Sequence, residues 1–302
     1  MASVPATVGT VGAEVMYPAY RDYIETRTTV NSAMMALVAG SQIASHSLQL
    51  VQGSTRPLAE LFPAVPHIGR FNLRSDQARD VLNSAEHHLA SVALPYALST
   101  HEDFVMASIE TLKAEGVSLV HSGAPLKKPI KAWNMHPVLF ESADHTPAPH
   151  LLEVFNLVRE MRNCTAHNGG RADEKLLNYI DSASQPALEL WTKLARQRPT
   201  DSVVNGRVVL TAEHVITAFA ITKRLGREIN RALAGGLSTS MWATTATEDF
   251  ALSTTKVKNS SAWRRALVGY TRRYYQALGL AEADLESAAR ATGHWTRQSW
   301  TD

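Results

Sequence analysis

Arg162, Asn163 and His167 fall within one six-residue stretch, and their types are those that phosphodiester chemistry uses. A histidine titrates near neutrality, so it can both take and give a proton at physiological pH. An arginine carries a permanent charge on a planar fork of donors that matches phosphate oxygens and the charge developing on them. Asn163 and His167 are four apart and share a helix face, with His167 in the last turn, where unpaired carbonyls favour an imidazolium. Arg162 and His167 are about 140° apart on an ideal helix. They converge only if the helix end distorts, Arg162 reaches around, or a second protomer contributes.

The segment that must position them is PHLLEVFNLVREMRNCTAHNGG, a helix expected over 148–167 and stopped by Asn168, Gly169 and Gly170. Leu151, Phe155, Val158 and Met161 form its core-facing stripe, while Asn156, Glu160, Asn163 and His167 fall on another side. Arg162 lies on or beside the stripe, where a guanidinium is costly unless partnered. Either its stem packs and its head snorkels out, or it lines a cleft or faces a second subunit. Arg159 either adds a phosphate contact or pairs at the surface with Glu160 or Glu153. Cys164 reads as a small, half-buried filler.

Arg162-Asn163-Cys164-Thr165-Ala166-His167, ending a helix after LLEVFNLVREM and followed by a polar turn and another helix, resembles the Arg-polar-x-x-x-His signature of HEPN domains. The upstream LNSAEHHLASVALPYALSTHEDFV is similar to the preceding helices of stand-alone HEPN proteins. Composition alone would supply roughly 0.03 matches to Arg-Asn-x-x-x-His in this chain. The likeness is specific over the motif and diffuse over residues 75–200.

The resemblance implies a metal-independent endoribonuclease with no cofactor. His167 would be the acid/base group on the ribose 2′-hydroxyl, Arg162 would orient the scissile phosphate or stabilise its transition state, and Asn163 would support the site. Attack of the 2′-oxygen leaves a 2′,3′-cyclic phosphate and a 5′-hydroxyl end, and DNA, which lacks the nucleophile, survives. The family further implies a homodimer pooling two motifs in one cleft, a role as a defence, toxin-type or stress RNase, and control by an antitoxin or inhibitor protein. One HEPN subgroup carries a Tyr two residues after the His, where a nucleotidyltransferase modifies it. That position is Gly169 here, so this control is not expected. The alternative is a non-catalytic HEPN-fold module that binds nucleic acid or a protein partner, and a third reading is a helical scaffold in which the motif is coincidence.

The rest of the chain must build the frame. It has 302 residues, 45% of them hydrophobic, with 30 Lys+Arg against 28 Asp+Glu, which suits one large or two modest globular domains. One cysteine excludes an intrachain disulfide framework and a Cys-rich zinc site. No 18-residue apolar run occurs, so no membrane span is expected. MASVPATVGTVGAEV has neither a basic n-region nor an apolar h-region, so a cytoplasmic protein with a frayed, Gly-rich first dozen residues is expected. Walker, dinucleotide-glycine, nucleophile-elbow and His-Glu-x-x-His motifs are absent from the sequence.

Apolar residues recur at three and four positions over most of the chain, which predicts an all-α fold. Helices are expected at 14–29, 30–51, 75–97, 100–115 (capped by Ser99 or Thr100), 148–167, 172–197, 211–234, 260–279 and 281–291. Residues 116–149 read as a Pro-rich loop, and 203–210 as a strand-like stretch turning at Asn205-Gly206, or an extended loop. The expected architecture is a HEPN-like helical body over 1–235 with additional N-terminal helices, and a basic helical C-terminal extension over 236–302.

Lys256 to Arg297 hold eight basic and three acidic residues, whereas 1–255 hold 22 basic and 24 acidic. Such asymmetry marks either a nucleic-acid surface or a solvated helix face. In WRRALVGYTRRYYQALGL, Arg264, Arg265, Arg272 and Arg273 are candidate RNA contacts, with aromatics able to stack bases. The alternative is an amphipathic helix with Trp263, Leu267, Tyr270 and Tyr274 in the core. Glu86-His87-His88 lacks a second ligand pair and reads as core edge or surface, with Glu86 able to face the motif helix; His145 and His150 read as loop polarity.

Overall fold

Helix-forming periodicity dominates the chain, and helix dominates the computed structural model, which describes residues 14–50 and 53–300. The first dozen residues, expected to be frayed, lie outside the described residues. In chain order the helices are α1 Pro18–Gln49, α2 Leu58–Leu61, α3 Ser75–Asn83, α4 Ala85–Ala114, α5 Met135–Ser142, α6 Pro149–His167, α7 Glu174–Asp181, α8 Gln185–Ala195, α9 Ala212–Gly236, α10 Thr239–Ser253, α11 Ser261–Tyr274 and α12 Glu282–Ala291. Two small antiparallel hairpins accompany them, β1 Val120–His121 with β2 Ala124–Pro125, and β3 Val203–Val204 with β4 Arg207–Val208. The all-α class holds. Among the described residues no helix is long and apolar enough to cross a membrane.

Several boundaries differ from the sequence expectation. The two helices expected over 14–51 are one, because Thr28, Thr29 and Val30 lower helix propensity without supplying a breaker. The break expected near Ser99 is absent: α4 carries Pro95 inside it, and Leu94, Ala97 and Leu98 are buried on either side. Their burial holds together a helix that proline alone would kink. Residues 172–197 split into α7 and α8, with the Ser184 hydroxyl accepting from Ala187 N–H and Pro186 in the first turn. α5 sits in the expected loop, its Pro137 in the first turn where the missing N–H costs nothing.

The chain forms two compact units, each discontinuous in sequence. One comprises residues up to Ile24, Glu102–Pro147 and the chain from Gly226; the other comprises Glu25–His101 and Ala148–Leu225. In the first, Phe250, Trp263, Leu267, Leu285, Trp295 and Trp300 form a buried cluster. Arg21 makes a two-pronged pair with Asp249 (2.9 and 2.7 Å), and the Tyr275 hydroxyl donates to the same carboxylate at 2.7 Å. In the second unit α6 packs against α7 and α8. Leu151, Val154, Phe155, Leu157, Val158 and Met161 of α6 are buried. Burial of each large apolar side chain contributes about 1.5–3 kcal/mol.

Candidate active site

α6 is more deeply embedded than an amphipathic surface helix. Besides the expected stripe, Val154 and Leu157 are buried, as is the opposite side at Arg159 and Glu160, and Cys164 is fully buried. Cys164 therefore fills core space, and burial pushes its thiol up from the ordinary range. The last turn emerges fully, with Thr165 half-buried and Ala166 and His167 exposed. His167 is thus displayed at the surface by a helix whose preceding turns are locked in the core.

The helix stops where the sequence predicted. Asn168 is the C-cap, and the N–H groups of Asn168 and Gly170 both donate to Cys164 O, at 3.1 and 2.9 Å. Gly169 and Gly170 have φ of 58° and 80°, a left-handed conformation that glycine adopts without a Cβ penalty. The Asn168 side chain donates to Asp173 Oδ2 at 3.0 Å, and Asp173 Oδ1 accepts from Leu176 N–H at 2.9 Å, capping α7.

The residues around the motif divide into an inner group and an outer group. The inner group centres on Glu160, 2% exposed, which accepts from Arg159 Nη2 and Lys175 Nζ, both at 2.9 Å, and from Asn163 Nδ2 at 3.2 Å. Burial alone would raise the Glu160 carboxyl, but the donors Lys175, Arg159 and Asn163 more than offset it and hold the group below the usual carboxylate range. Arg159 is 4% exposed, so its guanidinium is committed to this buried pair, not displayed for a phosphate. Asn163 joins the motif to this network. Arg162 is half-buried.

The outer group is the loop after His167. It is pinned by the β3–β4 hairpin, whose register pairs Val203 with Val208 and Val204 with Arg207 around Asn205 (φ 50°) and Gly206 (φ 71°), the left-handed pair a type I′ turn needs. Ala172 N–H donates to Gly206 O at 3.0 Å, Val208 N–H to Gly170 O at 2.8 Å, and Arg207 Nη1 to Gly169 O at 2.9 Å. The exposed cations Arg171 and Arg207 therefore flank the segment that follows His167.

Protein-family models, curated proteins and solved structures yield no match to the chain.

The other candidate residues take different places. Arg264, Arg265, Arg272 and Arg273 lie on α11, in the first unit, whereas the motif lies in the second. Arg265, Arg272 and Arg273 are exposed, Arg273 packs over the Tyr274 ring at 5.0 Å, and Arg264 lies 3.8 Å from Glu282. The core stripe of α11 runs through Trp263, Leu267 and Thr271 to Tyr275, leaving Tyr270 and Tyr274 half-buried. Glu86 Oε1 accepts from Ala212 N–H at 2.8 Å and so caps α9 from outside it. His87 Nδ1 accepts from Leu210 N–H at 3.1 Å, and His145 pairs with Glu228 at 2.9 Å.

Glu160, Lys175, Arg171 and Arg207 were not selected from sequence as site residues. Glu160 had a usable signal, three residues before Asn163 on one helix. Lys175 and Arg207 had none, because their places depend on how α7 and the hairpin fold back onto the end of α6.

Proposed function

We propose that the protein is a HEPN-type endoribonuclease that works without a metal or cofactor, as a homodimer pooling two motifs. One observation carries this reading: His167 is exposed at the tip of a helix anchored by a buried stretch from Leu157 to Met161, as a group that exchanges protons with a bound strand must be. Asn163 is tied to Glu160, which keeps the helix end in one geometry.

In the reaction His167 takes the proton of a ribose 2′-hydroxyl. The 2′-oxygen bonds to the adjacent phosphorus, the bond from phosphorus to the 5′-oxygen breaks, and the 5′-oxygen receives a proton from an imidazolium. The sequence is a transesterification with no net uptake of water or electrons. Arg162 offsets charge on the phosphoryl oxygens as it develops, a role suited to a permanently charged fork. The biological role that follows is a defence, toxin-type or stress RNase in the cytoplasm, held in check by an antitoxin or inhibitor protein.

The test is cleavage of labelled structured RNA, transfer RNA included, by wild-type protein and His167→Ala in EDTA, with end-group analysis and matched DNA. Cyclic-phosphate ends from the wild type alone support the reading. Absence of RNA cleavage by a confirmed dimer turns it toward the non-catalytic binding module.

A further inference from the structure

Arg171 and Arg207 form an isolated antiparallel bridge. The two backbone bonds around it, Ala172 N–H to Gly206 O and Val208 N–H to Gly170 O, belong to the flanking residues. The arginines are therefore a non-hydrogen-bonded pair, the geometry that brings Cα atoms to about 4.5 Å and side chains closest on one face. Like charges directly opposite one another oppose pairing. Among the described residues, however, neither guanidinium lies within ion-pair distance of a carboxylate. Asp173, the nearest acid in sequence, is occupied by Asn168 and Leu176 N–H.

One of the two guanidiniums is already oriented. Arg207 Nη1 donates to Gly169 O at 2.9 Å, leaving the other edge of its fork open. Gly169 is two residues past His167, so the anchoring carbonyl belongs to a residue whose Cα is at most about 7 Å from that of His167. A doubly charged, exposed and partly preset pair beside an acid/base residue is suited to an anion with several acceptor oxygens.

We infer that Arg171 and Arg207 together grip one backbone phosphate of an RNA strand, next to the phosphate cleaved at His167. The inference rests on the endoribonuclease reading and names positioning residues for it. The strand crosses the end of α6 and the β3–β4 hairpin, and the pair fixes its register while carrying no sequence information.

The experiment measures steady-state cleavage by the full chain, and RNA binding by fluorescence anisotropy on the His167→Ala background across a salt series. Arg171→Ala, Arg171→Ala/Arg207→Ala and Arg171→Lys/Arg207→Lys are compared, each checked by melting. The double alanine variant is expected to raise KM about tenfold and leave kcat within about twofold. It should also lower the slope of log affinity against log salt by about 0.7, the single-strand value for one lost phosphate contact. The lysine variant is expected to restore the salt slope, which a merely structural role of the arginines would not produce. Arg171→Ala, whose side chain has no hydrogen bond to lose, shows part of the effect even if the loss of the Arg207–Gly169 bond disturbs the loop. Unchanged KM and salt slope, with RNA still cleaved, overturn the phosphate pair and leave the endoribonuclease reading standing. Absence of both cleavage and RNA binding in the wild type overturns both.

Discussion

The Asn163 amide donates to the Glu160 carboxylate one turn earlier on α6, at 3.2 Å. The motif is thereby wired to a buried charge cluster, since the same carboxylate receives Arg159 and Lys175. Glu160→Gln would take the negative charge out of a cluster to which Arg159 and Lys175 both donate, and breaking a buried pair costs about 3–5 kcal/mol. Urea denaturation of this variant at neutral pH is expected to show a loss of that size; a loss below about 1 kcal/mol would mean that water screens the pair. Because the folded carboxyl titrates below its unfolded value, the stabilisation is full above the unfolded value. It is lost as pH falls through the folded one.

A second acid sensitivity comes from buried histidines. Desolvation lowers His214 to about 4 and His101 to about 3. Below the ordinary histidine value the unfolded chain binds protons that the folded chain refuses, so stability falls as pH falls from about 6.5 towards 4. Each group contributes about 1.4 kcal/mol per pH unit in that window. Denaturation at pH 7, 6 and 5 should show this slope, and His214→Gln should remove about half of it. A slope unaltered by that substitution would rule out His214 as its source.

Two helical glycines should answer opposite ways to alanine. In α1, Gly40 is exposed and a Cβ there meets nothing within 4 Å, so Gly40→Ala is expected to stabilise by about 0.5–1 kcal/mol. In α9, a Cβ on Gly226 would stand 2.6 Å from Tyr23 Cε1, and Tyr23 is buried with its ring stacked on Phe104 at 4.3 Å. Gly226→Ala is expected to destabilise by about 1–3 kcal/mol. Thermal melts of the two variants check the sign of each.

His167→Ala is expected to abolish RNA cleavage while changing stability by less than about 0.5 kcal/mol, because the side chain is exposed. A melting shift of several degrees would show that the imidazole has a structural role in closing α6.

What the sequence made legible follows from how local each signal is. Asn168-Gly169-Gly170 ended α6, and Asn205-Gly206 turned the hairpin, because left-handed backbone is dictated by the residue that adopts it. Ser99 and Thr100 misled as caps, because the buried Leu94 and Leu98 carry α4 straight through them. α10 was missed because its buried face includes Ala243, Ala246, Thr247 and Asp249, small or polar residues that read as solvent-facing. In the candidate site, the placement of His167 at a helix end was readable. The burial of Glu160 and the docking of Arg207 were not, since both are set by segments that fold back from later in the chain.

The discontinuity of the two units also sets an order of events during synthesis. The unit bearing α6 is finished once Leu225 has left the ribosome, whereas the other still needs the chain from Gly226 onward. At translation rates of about 5–20 residues per second, the half that displays His167 has several seconds in which to fold before its companion is complete.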